Sequence, residues 1–145
     1  MSIDKNKLGV ISQSCLSLSV RRINRIVSQM YDKQLRPLGL KGSQTNILFL
    51  IAYAEAVYPK TISKFLRLEP STLSRNLKIM LDKGWVKVIE DEDRRTAPVS
   101  LTPEGKKLVK QAMKAWDKAQ REITELLGPD AIKCLHQLDA DLNRP

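Results

Sequence analysis

Histidine is almost missing from this chain of 145 residues: His136 is the only one, and there are just two cysteines, Cys15 and Cys134, far apart in sequence. A zinc or iron site of the usual kind needs three or four such ligands at short spacings, and no CxxC pair or ligand cluster occurs here. The expectation is therefore no metal and no cofactor. No apolar run approaches the roughly 20 residues that a bilayer span requires. The start, Met1-Ser-Ile-Asp-Lys-Asn-Lys, lacks the apolar core of a signal peptide. The expectation is a cytoplasmic protein with reduced thiols and no membrane partner. A nucleophile elbow, a glycine-rich phosphate loop and a plausible acid pair are all lacking, so an enzyme is poorly supported.

What the chain does have is positive charge. Lys and Arg number 25 against 16 Asp and Glu, a net charge of +9, which favours a polyanion partner: nucleic acid first, an anionic membrane surface second. The length fits one domain with helical extensions.

Apolar periodicity predicts a mainly α protein. A first helix is expected over about Lys5–Leu35, with Leu8, Ile11, Cys15 and Leu18 on one stripe and Leu16, Val20, Ile23, Val27 and Met30 on another. Two stripes mean cover from two sides, and in a short chain a second subunit often supplies one of them. Arg36-Pro-Leu-Gly39 ends that helix. Ser43 is expected to cap a core helix through Glu55, Tyr58-Pro59-Lys60 to break the chain, and Thr61 to cap a short helix to about Leu66. Pro70 suits the first position of a helix that runs to Lys83 and is stopped by Gly84. Trp85–Glu90 and Thr96–Leu101 read as an antiparallel ribbon, with Pro98 demoting the return strand to an edge. Thr102-Pro103-Glu104 then opens a long helix in the expected order of cap, proline and acid. Gly128-Pro129 interrupts it before a last helix bearing Ile132, Leu135, Leu138 and Leu142.

The order helix, turn, helix, ribbon suits DNA. On a wheel, Leu73, Leu77, Met80 and Leu81 gather on one side of the helix beginning at Pro70. Ser71, Thr72, Arg75, Lys78, Ile79 and Asp82 fall on the other, and Ser74 belongs to the same N-terminal turns. Short hydroxyl residues let a backbone approach base edges and phosphates. Arg75 can grip guanine O6 and N7 with its fork, while Lys78, and Lys64 on the preceding helix, suit phosphates. The bland reading, a solvated amphipathic surface helix, is an even match for that helix alone and is weakened by the order of elements around it. In the ribbon's loop, Asp93 beside Arg94 and Arg95 can orient an arginine for a narrow minor groove. Glu90, Asp91 and Glu92 must then point away from phosphate. The bland reading there is a charged, solvated hairpin tip.

These residues resemble the MarR (multiple antibiotic resistance regulator) family of winged helix-turn-helix transcription factors. The resemblance is carried by Ser71-Thr-Leu-Ser-Arg-Asn-Leu77, Gly84-Trp-Val86, Asp93-Arg-Arg95, Leu101-Thr-Pro-Glu-Gly105 and the stretch from Tyr31 to Gln44, and it runs over nearly the whole chain. It implies a homodimer whose N- and C-terminal helices, about residues 1–40 and 103–145, interlock as a dimerisation region. A winged lobe of about 41–102 would bind double-stranded DNA at a pseudo-palindromic operator, usually as a repressor. By position, Asp93 and Arg95 match the wing-tip pair and Ser71 to Lys78 the recognition helix. The resemblance also implies release by a small phenolic or lipophilic effector or by thiol oxidation. Pro98 and the acids Asp91-Glu92 depart from the family pattern.

Cys15 reads either as a thiol sensor or as a small buried hydrophobe, the usual fate of a free cysteine. Arg21 and Arg22 lie about two turns from it. Cys134 is a candidate partner for Cys15 of a second subunit. Tyr31, Tyr53 and Trp116 are candidate walls for a ligand, though aromatics at helical spacing are more often core. His136 receives no role. The competing reading is a winged-helix module that binds protein and no specific DNA.

Overall fold

The computed structural model describes residues 3–90 and 97–143. Among them, six α-helices and three short strands follow in the order α1 (Lys5–Ser14), α2 (Leu16–Leu35, continued by a 3-10 turn, Arg36–Leu38), α3 (Gly42–Ala54), β1 (Ala56–Val57), α4 (Pro59–Leu66), α5 (Pro70–Asp82), β2 (Val86–Val88), β3 (Val99–Leu101) and α6 (Pro103–Leu142). No helix among the described residues is long and apolar enough to cross a membrane.

The core lies where α3 crosses the lobe. Leu35, Ile47, Leu48, Ile51, Ile62 and Met80 are fully buried there, with Val109 and Ala112 of α6 closing one side. Gln44, the third residue of α3, turns its side-chain carbonyl back on the chain, accepting from the Lys41 N–H at 3.1 Å. The cap position is therefore Lys41, not Ser43, which sits inside the first turn. Pro59 also starts α4 instead of breaking the chain, with Tyr58 as its cap, because a proline at the first position leaves no helical bond unmade.

The sheet has the order β1–β3–β2, so β3 is its central strand. That corrects the edge-strand expectation. Pro98 stands just before β3 and needs no N–H to enter the ladder; its carbonyl accepts from the Ile89 N–H at 2.8 Å. The unforeseen β1 pairs Ala56 with Ser100 and Val57 with Val99, while Val86 faces Leu101 across the other edge.

The expected single N-terminal helix is two. Cys15 sits between them in extended backbone, φ −69 and ψ 106. Serine hydroxyls compete with the helical ladder just before the break: Ser12 Oγ donates to the Gly9 carbonyl at 2.8 Å and Ser14 Oγ to Val10 at 2.7 Å. The C-terminal interruption is where the sequence places it, at Gly128, with φ 76 and ψ 164.

Candidate nucleic-acid interface

The α4–turn–α5 unit is built from its apolar side. Ile62 of α4 and Leu73, Leu77 and Met80 of α5 are buried together. Leu81, placed on the same side by the wheel, lies at the boundary and is 37% exposed. The turn is pinned by the Leu68 N–H donating to the Ser63 carbonyl at 3.0 Å and by Ser63 Oγ donating to Leu68 at 2.5 Å. Arg67 closes α4 in left-handed backbone, φ 49. Pro70 then opens α5, and the Glu69 carbonyl accepts from both Thr72 and Leu73 at 3.0 Å. Two helices thus meet at a fixed angle with the N-terminus of the second projecting outward.

Ser71, Ser74, Arg75 and Lys78 are exposed on the outer face of α5, and Lys64 is exposed on α4. Thr72 is half-buried; its carbonyl accepts from Asn76 Nδ2 at 2.9 Å, so it braces the first turn. Lys78 Nζ lies 3.4 Å from Asp82 one turn away, with both side chains largely in solvent. Such a pair is worth well under about 1 kcal/mol and yields readily to a phosphate. Arg75 holds only a 3.5 Å contact from Nε to the Ser71 carbonyl, which leaves its fork free. Between α4, α5 and the sheet runs a groove of about 920 Å³ with Leu73, Leu77 and Val99 beneath and Lys60, Lys64 and Lys78 along it. Lys60 was missed in the sequence because the segment before Thr61 reads as a chain break. Its signal is the spacing of four to Lys64, which puts both on one helical face.

Asp93, Arg94 and Arg95 lie outside the described residues, as do the acids Asp91 and Glu92.

A second concavity separates this lobe from the helical region. About 650 Å³ in volume, it is lined by Tyr31, Asp32, Lys41, Asn46, Leu68 and Trp116 among others. The rings of Tyr31 and Trp116 stack at 6.4 Å between centroids. The Tyr31 hydroxyl bonds Gln120 Oε1, and burial pushes its phenol above the ordinary tyrosine value. Asp32 Oδ1 accepts from the Gly42 N–H at 2.7 Å, tying α2 to the start of α3. Tyr53, the third aromatic considered, is 89% exposed and belongs neither to this cleft nor to the core. Cys15 is half-buried at the α1–α2 break, while Cys134 and His136 are exposed. Arg21 and Arg22 are exposed as well.

Two helices joined by a pinned turn, the second backed by an antiparallel sheet, define a winged helix-turn-helix protein. A sequence model of the MarR family matches residues 38–96. The HTH-type transcriptional regulator YwoH of Bacillus subtilis is 32% identical over 83 residues, 57% of this chain, and the match spans 61% of that relative's length. The multiple antibiotic resistance protein MarR of Salmonella typhimurium is 27% identical over 118 residues, covering 80% of this chain and 82% of that one. Among solved structures, MosR of M. tuberculosis in complex with DNA superposes with a TM-score of 0.73 at 29% identity, covering 90% of this chain and all of that one. A mutant MarR from E. coli complexed with operator DNA gives 0.81 at 24% identity, over 92% and 97% of the two chains, and shows the shared fold. In sequence and in fold the chain is thus similar to transcriptional regulators of the MarR family.

Proposed function

We propose that this protein is a homodimeric repressor that reads a pseudo-palindromic operator in double-stranded DNA. The observation that carries the reading is the outer face of α5, where Ser71, Ser74, Arg75 and Lys78 stand exposed over a buried Leu73, Leu77 and Met80. In this reading α5 enters the major groove by its N-terminal turns. Arg75 reads a guanine edge, Ser71, Thr72 and Ser74 bring the backbone close, and Lys64 and Lys78 hold phosphates. Lys60 joins them on the phosphate side. Asp93 orients Arg95, with Arg94 beside it, in the adjacent minor groove.

The dimer is supported by apolar side chains left in solvent at both ends of the chain. Leu8, Ile11, Leu16, Val20, Ile23 and Ile26 are exposed on α1 and α2, and Leu126, Leu135, Leu138 and Leu142 on the last part of α6. Residues 1–40 and 103–145 are therefore assigned to dimerisation and 41–102 to DNA. A two-fold axis would set the recognition helices roughly 34–36 Å apart, one turn of duplex.

Two inputs fit a repressor of this design. The cleft between Tyr31 and Trp116 suits a small phenolic or lipophilic effector, and Leu68 of the α4–α5 turn is one of its walls. A ligand there touches both the helical region and the turn that aims α5. Oxidation of Cys15 is the other input, with Cys134 of the second subunit as the partner thiol.

Fluorescence anisotropy on an inverted repeat from upstream of the gene tests the reading, at two salt concentrations. Affinity should fall steeply with salt as phosphate contacts release counterions. A flat salt dependence would remove this mode of binding.

A further inference from the structure

The first half of α6 carries a charge pattern that DNA reading by α5 does not use. Residues 103–121 hold six cations, Lys106, Lys107, Lys110, Lys114, Lys118 and Arg121, against two acids, Glu104 and Asp117. The second half, 122–142, reverses this, with Glu122, Glu125, Asp130, Asp139 and Asp141 against Lys133. A surface that serves solubility alone mixes the two signs. Here α6 separates them along its length.

The basic half is also oriented. At 100° per residue, Lys107, Lys110, Lys114, Lys118 and Arg121 fall within roughly 80° of arc. That arc lies opposite Val109, Ala112, Ala119 and Ile123, which are buried against the rest of the fold. All five cations are exposed, and among the described residues none has a carboxylate within ion-pair distance. They form a ridge about 21 Å long, at 1.5 Å per residue. That is the length over which one strand of a duplex presents about six phosphates at 3.4 Å each.

The ridge begins at the end of α5 away from its N-terminal turns. The start of α6 is held at the opposite end of α5, where the Thr102 N–H donates to the Trp85 carbonyl at 3.0 Å. With 13 residues, α5 puts its N-terminus about 20 Å further on. We propose that the outward ridge of α6 is a second, sequence-independent DNA-binding surface, which holds the phosphate backbone of another duplex segment while α5 occupies the operator. The inference rests on the DNA reading above for its choice of polyanion.

The test uses the full chain, immobilised operator duplex and a labelled second duplex of random sequence. The wild type should retain the second duplex on the operator complex. K107Q/K110Q/K114Q/K118Q, which keeps helix propensity and fold, should lose at least about tenfold of that capture and change operator affinity less than about threefold. The salt slope of capture should become shallower by about 0.9 per phosphate contact removed. The fourfold Lys→Arg variant should capture like the wild type. Equal capture by the Gln variant, or none by the wild type, overturns the proposal. So does loss of the dimer in the Gln variant by light scattering, which would assign the ridge to the acidic half of a second subunit. R75A separates this from the operator reading: it should lose base preference yet still bind random duplex through the ridge.

Discussion

Gly105→Ala is the substitution whose outcome the geometry fixes best. Gly105 is the third residue of α6, packed over the base of the β-sheet. A Cβ built on it falls 1.9 Å from the Trp85 carbonyl oxygen and 2.9 Å from its carbon. Both are backbone atoms, so no side chain can rotate out of the way. The same oxygen accepts from the Thr102 N–H at 3.0 Å and from its hydroxyl at 3.2 Å. Thr102 Oγ1 in turn caps Gly105 at 3.0 Å and donates to Gly84 at 2.5 Å. Relief of the clash must therefore move the start of α6 and loosen its cap. Overpacking of this kind costs about 1–3 kcal/mol, and a lost cap about 1 kcal/mol more. Against that, alanine favours a helix over glycine by about 0.5–1 kcal/mol. The net loss should be about 1–3 kcal/mol. At about 2–4 °C per kcal/mol, Tm should fall by about 2–12 °C. Thermal melts followed by circular dichroism, at one protein concentration, measure it. An unchanged or raised Tm would mean that propensity decides at this site and that α6 does not press on the Trp85 carbonyl.

Further outcomes follow from other sites. Arg75→Ala should cost about 1–3 kcal/mol on the cognate operator, roughly 5- to 150-fold in Kd, while Arg95→Ala should weaken binding across sequences; anisotropy on cognate and mutated half-sites separates the two. Met80→Ala removes a fully buried side chain and should destabilise by about 2–5 kcal/mol in urea titration. Val20→Lys with Ile23→Lys places charge on the exposed apolar face of α2 and should shift the mass seen by light scattering from dimer to monomer. Because burial raises the Tyr31 phenol, folding favours its protonated form. That stability is complete below the ordinary tyrosine pKa and is lost as pH rises through the raised one. Tyr31→Phe should remove this alkaline loss and the latest step of the phenolate absorbance titration.

Elements with strong local punctuation could be read from the sequence. Thr102-Pro103-Glu104 marked the start of α6, Pro70 and Gly84 bounded α5, and the apolar spacing of Leu73, Leu77 and Met80 oriented it. Signals that depend on distant partners could not. β1 is two residues long, too short for alternation to register, and exists because β3 offers it a free edge. Pro98 suggested an edge strand by its chemistry, but the ladder begins one residue later. Pro59 looked like a breaker because nothing nearby announced that it was the first residue of a helix. The break at Cys15 has no proline or glycine behind it, only serine hydroxyls bonding back to the ladder. Lys60 goes with Pro59, since a segment that reads as a break hides the helical face it shares with Lys64.

The backbone of Gly128 has a consequence for how the chain can vary. Its φ of 76 and ψ of 164 lie in a region that side-chain-bearing residues essentially never occupy. Yet a Cβ there would meet nothing within 4 Å. A substitution would thus be refused by torsion, not by crowding, and the chain's relief is to swing instead of to collapse. Everything beyond it would pivot, including Leu142, whose carbonyl now accepts from Arg67 Nη2 at 2.8 Å. One position with no side chain is the rudder for the last part of α6, and through Arg67 it steers that segment against the turn between α4 and α5.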